Sequence, residues 1–228
     1  MNHSIVVATS NRGKLEEFRA LLAGLPVTVH TIDEACAKAP KIVEDGATFT
    51  DNALIKVRAV AAASMMLTLA DDSGLEVDAL DGAPGPRSAR YAHIRATDAE
   101  NNAALLTALA KLPDAMATRP LTARFRCVLA LLDPYAADAE PIGAARQGSP
   151  IVVEGRCEGV ITRTPRGSGG FGYDPLFVVE GRERTMAELT EAEKNELSHR
   201  ARAFAALRPV LERVLAQRDE AISRVQRG

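Results

Sequence analysis

The chain has 228 residues and a net charge of −2, so no bulk field marks it for nucleic acid or a membrane surface. Aromatic residues make up 4% and Trp is absent, which argues against stacking platforms for single strands. Cys36, Cys127 and Cys157 are odd in number, far apart and outside any CxxC pair, which reads as reduced thiols rather than a disulfide frame or zinc site. The opening MNHSIVVATSN has no basic segment leading into a signal-length apolar run, and no apolar run approaches the roughly 20 residues of a membrane span. A cytoplasmic protein with no nucleic-acid and no membrane partner is expected.

In chain order, SIVVAT (4–9) is a β-branched run suited to a buried strand. GKLEEFRALLAGL follows, with Leu15, Phe18, Leu22 and Leu25 on a helical stripe. VTVHTI (27–32) reads as a second strand. TFTDNALIKVRAVAAASM (48–65) is Ala-rich and helical, with Thr48 or Thr50 as cap. LTLADD then reads as a strand that ends in the paired acids Asp71 and Asp72. TDAENNAALLTALAKL (97–112) opens on Thr97 and Glu100, a capping box. LTARFRCVLALLD (121–133) and PIVVEGRCEGVITRTP (150–165) read as long strands. Between them, 134–149 is small, polar and Pro/Gly-bearing, and an exposed, partly mobile hairpin loop is expected. FGYDPLFVVE (171–180) is a strand entered through a Gly-rich turn. Thr190 and Glu193 form another capping box, and a terminal helix covers 198–217, which Pro209 should kink or split. Helices and strands interleave first and strands dominate later, which predicts a mixed-sheet α/β protein with no clean linker.

Five stretches can carry chemistry. In ATSNRGKLEEF (8–18) a loop of small residues leaves a strand and opens a helix, whose N–H groups and dipole favour an anion; Thr9, Ser10, Asn11 and Lys14 add donors and charge. It is not a Walker A loop, and an ordinary strand–helix turn is the alternative. In IVEDGATFTDNALIKVRA, Glu44 precedes a turn, and Asn52 and Lys56 share a helix face; alone, these read as surface residues. Asp71 and Asp72 should repel unless a counter-charge lies beside them. With Glu44 they offer three hard carboxylates of the kind that suit Mg²⁺, which usually takes one or two plus water and phosphates. A phospho-aspartate phosphatase would need an acid where Ser73 stands. GSGGFGYDPLF (167–177) carries four glycines in six residues beside Phe171 and Tyr173, so backbone can approach a planar ligand closely; a flexible turn with two core aromatics is the alternative. Finally, Ser198 can cap a helix whose first residues are His199 and Arg200, with Lys194 just upstream. Cations there oppose the helix dipole at a cost of up to roughly 1 kcal/mol, which points to an anion or acceptor that needs them.

Taken in order, TSNRGKLEEF, EDGATFTDNALIKVRA, LADDSGLEVDALDGAPGPRSARYA, GGFGYDPLF and ELSHRARA closely resemble the inosine/xanthosine triphosphate pyrophosphatase (Ham1-like) family. The resemblance runs from about residue 5 to 207, and the departures, an insertion near 135–149 and a tail beyond about 216, touch no motif. It implies an elongated mixed β-sheet flanked by helices in one domain, with two lobes and a substrate cleft between them, and a homodimer. It implies Mg²⁺-dependent hydrolysis of ITP, dITP and XTP to the monophosphate and pyrophosphate, which cleanses the nucleotide pool. Carried over by position, Thr9, Ser10, Asn11, Arg12, Gly13 and Lys14 would hold phosphates. Glu44 and Asp72 would bind the metal, with Asp72 also the proton acceptor, and Ser73 would contact substrate. Phe171, Gly172, Tyr173, Asp174, Lys194, His199 and Arg200 would form the base and phosphate pocket. The competing readings are a binding or sensing module, which would have lost the acids, and the related Maf-like hydrolases, against which the FGYDP and SHR stretches argue.

Overall fold

The computed structural model describes residues 1–113, 119–136, 140–142 and 145–227, with only the backbone of 140–142 and 145–147. A six-stranded sheet runs in the order β2-β1-β3-β4-β7-β8, built from β1 (His3–Ala8), β2 (Val27–His30), β3 (Leu67–Val77), β4 (Thr122–Leu132), β7 (Ile151–Ile161) and β8 (Phe177–Val179). β1 pairs in parallel with β2 and with β3, Ile5 opposite Leu67 and Ala8 opposite Ala70, while β7 and β8 are antiparallel. The sheet is therefore mixed, as the interleaved sequence predicts.

Two compact units divide the chain, and it passes from one to the other within β3, β4, β7 and the last helix (His199–Arg227). The first comprises Met1–Asp72, Val128–Glu154 and Ala203–Gly228. It holds α1 (Arg12–Leu22), the short α2 (Ile32–Ala35) and α3 (Phe49–Ser64). Its core joins Val6 and Ala8 of β1 and Ala70 of β3 to Phe49, Ala53, Val57, Val60 and Ala61 of α3. The small side chains explain the Ala-rich sequence of α3, since they let the helix lie close on the sheet. The second unit comprises Ser73–Cys127 and Gly155–Arg202, with α4 (Asp98–Ala110) and α5 (Glu191–Leu197). Leu75, Leu105, Leu109, Phe125, Tyr173 and Phe177 anchor its core.

The expected caps form. Thr48 with Asp51, Thr97 with Glu100 and Thr190 with Glu193 are reciprocal capping boxes, which satisfy two orphan donors each. Four expectations need correction. β3 does not end at Asp71–Asp72 but runs on to Val77, because both acids find cations on neighbouring helices. Leu25 lies beyond the end of α1. The segment 171–180 is mostly turn and a 3₁₀ helix over Asp174–Leu176, where Pro175 cannot donate to a ladder, so β8 keeps three residues. Pro209 does not split the last helix, α6 (His199–Arg227), which continues through it for 29 residues and takes in the tail. The ring removes one N–H there, but Leu207, Leu211 and Leu215, all buried, hold the helix on both sides of it.

In the insertion, β5 (Glu140–Ile142) and β6 (Ala145–Gln147) pair antiparallel as a hairpin. Residues 137–139 and 143–144 lie outside the described residues, and with them the expected mobility. Among the described residues no helix is long and apolar enough to cross a membrane.

Candidate active site

Successive side chains of a strand point to opposite faces, which separates the two acids that adjoin in sequence. Asp71, 1% exposed, meets Lys14 of α1, with Nζ 3.0 Å from Oδ2. Asp72 meets α3: Lys56 Nζ donates to its Oδ1 at 3.0 Å and Asn52 Nδ2 to its Oδ2 at 3.2 Å. Lys56 Nζ also donates to Glu44 Oε2 at 2.8 Å, and Asn52 Oδ1 accepts from Gly46 N–H at 2.9 Å. Repulsion between neighbouring carboxylates is thus answered by two separate lysines.

Burial pushes the Asp72 carboxyl above its ordinary value; Lys56 and Lys14 pull it back and Asp71 adds to the rise. Burial alone would lower the Lys56 ammonium, but Asp71, Asp72 and Glu44 together hold it above its ordinary value. Lys56 is charged at neutral pH, and Asp72 is a carboxylate whose basicity is enhanced, which is what a proton acceptor needs.

The loop from β1 to α1 has the form of an anion cradle. Thr9 Oγ1 accepts from Asn11 N–H at 3.2 Å, and Asn11 caps α1 by accepting from Lys14 N–H at 3.0 Å. The first turn of α1 holds no acid, so the positive end of its dipole is uncompensated. Thr9 and Gly13 are half-buried, while Ser10, Asn11 and Arg12 are exposed.

A divalent cation is the cofactor that the resemblance implies, and the donor set fits one. Glu44 and Asp72 already turn an oxygen each toward one point of positive charge, Lys56 Nζ. Among the described residues no three His, Cys, Asp or Glu side chains group as a metal site, and Asp71, the third nearby acid, pairs with Lys14. Two carboxylates, with water and substrate phosphates completing the shell, is the usual Mg²⁺ arrangement.

The second unit gathers the remaining predicted residues. Asp174 accepts from Lys194 Nζ at 2.6 Å and from Phe171 N–H at 3.2 Å, and burial raises its carboxyl above the ordinary value against the pull of Lys194. Gly170 lies against this pair: a Cβ there would fall 2.0 Å from Asp174 Oδ2 and 2.3 Å from Lys194 Nζ, at a φ of +75°. Arg200 is 4% exposed, with Nη2 donating to Ser73 Oγ at 3.2 Å and its guanidinium 5.0 Å from the centre of the Phe171 ring. Ser198 caps α6 by accepting from Ala201 N–H at 3.1 Å. His199 is buried and stacks on Phe125, with ring centres 4.9 Å apart. Tyr173 is a core residue whose Oη donates to the Ser88 carbonyl at 2.8 Å.

Sequence reasoning set Asn52 and Lys56 aside as surface residues, yet they are 0% and 7% exposed. The signal was present: Lys56 lies on the apolar stripe of Ala53, Val57 and Val60, where a charge needs a buried partner. Asp98 and Asn102 of α4, which bond the Gly172 N–H and carbonyl, had no such signal.

Known proteins resemble the chain over most of its length. The model of the Ham1 family matches residues 5–210. The chain is 46% identical over 204 residues to the dITP/XTP pyrophosphatase of Geobacter sulfurreducens, covering 90% of this chain and 94% of that one. It is 47% identical over 203 residues to the dITP/XTP pyrophosphatase of Xanthomonas axonopodis pv. citri, covering 89% and 94%. Among solved structures, a HAM1 protein from Coxiella burnetii superposes with a TM-score of 0.77 at 40% identity, covering 93% of this chain and 100% of that one.

Proposed function

The chain belongs to the Ham1 family, and from that premise we propose that it hydrolyses the deaminated purine nucleotides ITP, dITP and XTP to the monophosphate and pyrophosphate. The observation that carries the reading is Asp72: a buried carboxylate, raised in basicity, fixed by Lys56 and Asn52 beside a second acid, Glu44.

The roles follow from the chemistry. Water attacks the α-phosphorus, Asp72 takes its proton, and pyrophosphate leaves. Negative charge spreads over the non-bridging oxygens in the transition state, so catalysis is mostly positioning and electrostatics. Lys14 and the N-terminus of α1, with Thr9 to Gly13, bind phosphate oxygens. Glu44 and Asp72 would hold Mg²⁺, which would supply further positive charge to those oxygens. Lys56 keeps the two acids turned to a common point.

Base choice falls to the second unit. Inosine and xanthosine carry a 6-keto acceptor where adenosine carries a 6-amino donor, and arginine only donates. Arg200, held by Ser73 and the Phe171 ring, pairs with the keto oxygen and faces an amino group donor to donor. Phe171 to Asp174, Lys194 and His199 complete the nucleotide contacts. A homodimer and a cytoplasmic location belong to the same reading; the three cysteines are free and buried, as a reducing compartment allows.

The test is pyrophosphate release by the purified protein from ITP, XTP, dITP, ATP and GTP, with Mg²⁺ or with chelator. Pyrophosphate from ITP and XTP, dependent on Mg²⁺ and weak with ATP, is expected. Equal turnover of all five, or release of orthophosphate in its place, would contradict it.

A further inference from the structure

Two side chains of α4 hold the backbone of one residue of the aromatic loop. Gly172 N–H donates to Asp98 Oδ2 at 2.7 Å, and Asn102 Nδ2 donates to the Gly172 carbonyl at 2.9 Å. Asp98 and Asn102 are four residues apart and share a helix face. Gly172 has a φ of +63°, and nothing lies within 4 Å of where its Cβ would be, so glycine is there for its backbone conformation rather than for space.

Neither residue is needed to cap the helix. Its N-terminus is closed by Thr97 and Glu100, which leaves the Asp98 carboxylate for the loop. Asn102 Oδ1 is buried with no hydrogen-bond partner among the described residues. A side chain placed only for stability would be apolar or fully paired there. An amide with one end unsatisfied is kept for its other end, and that end holds Gly172.

The clamped residue lies between two fixed neighbours. Phe171 N–H is taken by Asp174, and Tyr173 Oη is taken by the Ser88 carbonyl. What the clamp adds is the setting of the Phe171 ring, against which the Arg200 guanidinium lies. We infer that Asp98 and Asn102 are positioning residues for base selection: by holding Gly172 at its N–H and at its carbonyl, the two peptides on either side of its Cα, they seat Phe171, and through it Arg200, without touching the nucleotide. The inference rests on the reading of Arg200 and Phe171 as the base-recognising pair.

The test compares an Asp98→Ala/Asn102→Ala double variant, Asp98→Asn and Arg200→Ala for pyrophosphate release from ITP and ATP, with thermal melts of each. The double variant should lose about tenfold in kcat/KM for ITP, chiefly through KM, with little change on ATP. Asp98→Asn keeps an acceptor oxygen and should retain most of the wild-type preference. Arg200→Ala should lose the preference altogether. A folded double variant with wild-type KM and wild-type preference, beside an Arg200→Ala that has lost it, overturns the clamp and leaves the base reading standing. An Arg200→Ala that keeps the preference overturns both. Should the double variant not fold, Asn102→Ala, which also removes the unsatisfied oxygen, is read by the same ratio: an ITP preference weakened through KM supports the clamp, and an unchanged one overturns it.

Discussion

Lys56 Nζ stands 3.0 Å from Asp72 Oδ1, with both side chains only 9% exposed. The same nitrogen holds Glu44, so one cation governs two acids of the proposed metal site. Lys56 holds the Asp72 carboxyl down against the upward push of burial. Its loss therefore lets the Asp72 pKa rise further. In the wild type, kcat/KM should fall on the acid side as Asp72 takes up a proton. Lys56→Met should move that limb to higher pH, as a pH–rate profile would read directly. An unmoved limb would assign the proton to another group.

Asp72→Asn removes the base and a ligand charge while it nearly keeps the shape. It should fold, by circular dichroism and melting, and lose about 100-fold or more in kcat. Stability offers a second reading. A carboxyl whose pKa is raised by folding contributes stability that is full below its unfolded pKa and lost as pH rises through the folded value. The metal-free wild type should show that loss above the ordinary value of an aspartate carboxyl, and Asp72→Asn should lack the step. Retention of most activity in the folded variant would remove Asp72 from the chemistry.

Lys14→Ala separates binding from catalysis. Lys14 is 15% exposed and leans on Asp71, which is 1% exposed. If it holds ground-state phosphates, KM for ITP should rise about tenfold with kcat little changed. The variant should also melt lower, since it leaves a buried carboxylate without its cation. A lost kcat at unchanged KM would instead place the lysine on the transition state.

The legible parts of the molecule were those written locally. Capping boxes at Thr97 and Thr190 and the strand–loop–helix of β1 and α1 depend on residues within a few positions of one another. β3 was misjudged because two adjacent acids look like the end of a strand, and only Lys14 and Lys56, distant in sequence, allow it to continue. Lys56 and Asn52 were passed over because an Ala-rich helix blurs the contrast between its faces. Pro209 reads as a breaker in any local view, and Leu207, Leu211 and Leu215 packed on either side of it outweigh the lost N–H. The Asp98–Asn102 grip on Gly172 spans 70 residues or more and left no local mark.

The most direct measurement of the central claim is the fate of oxygen from water. ITP turned over in H₂¹⁸O should yield IMP that carries the label and pyrophosphate that carries none, because attack at the α-phosphorus leaves the new oxygen on the monophosphate. Label in pyrophosphate, or in orthophosphate, would place the attack elsewhere and contradict the account.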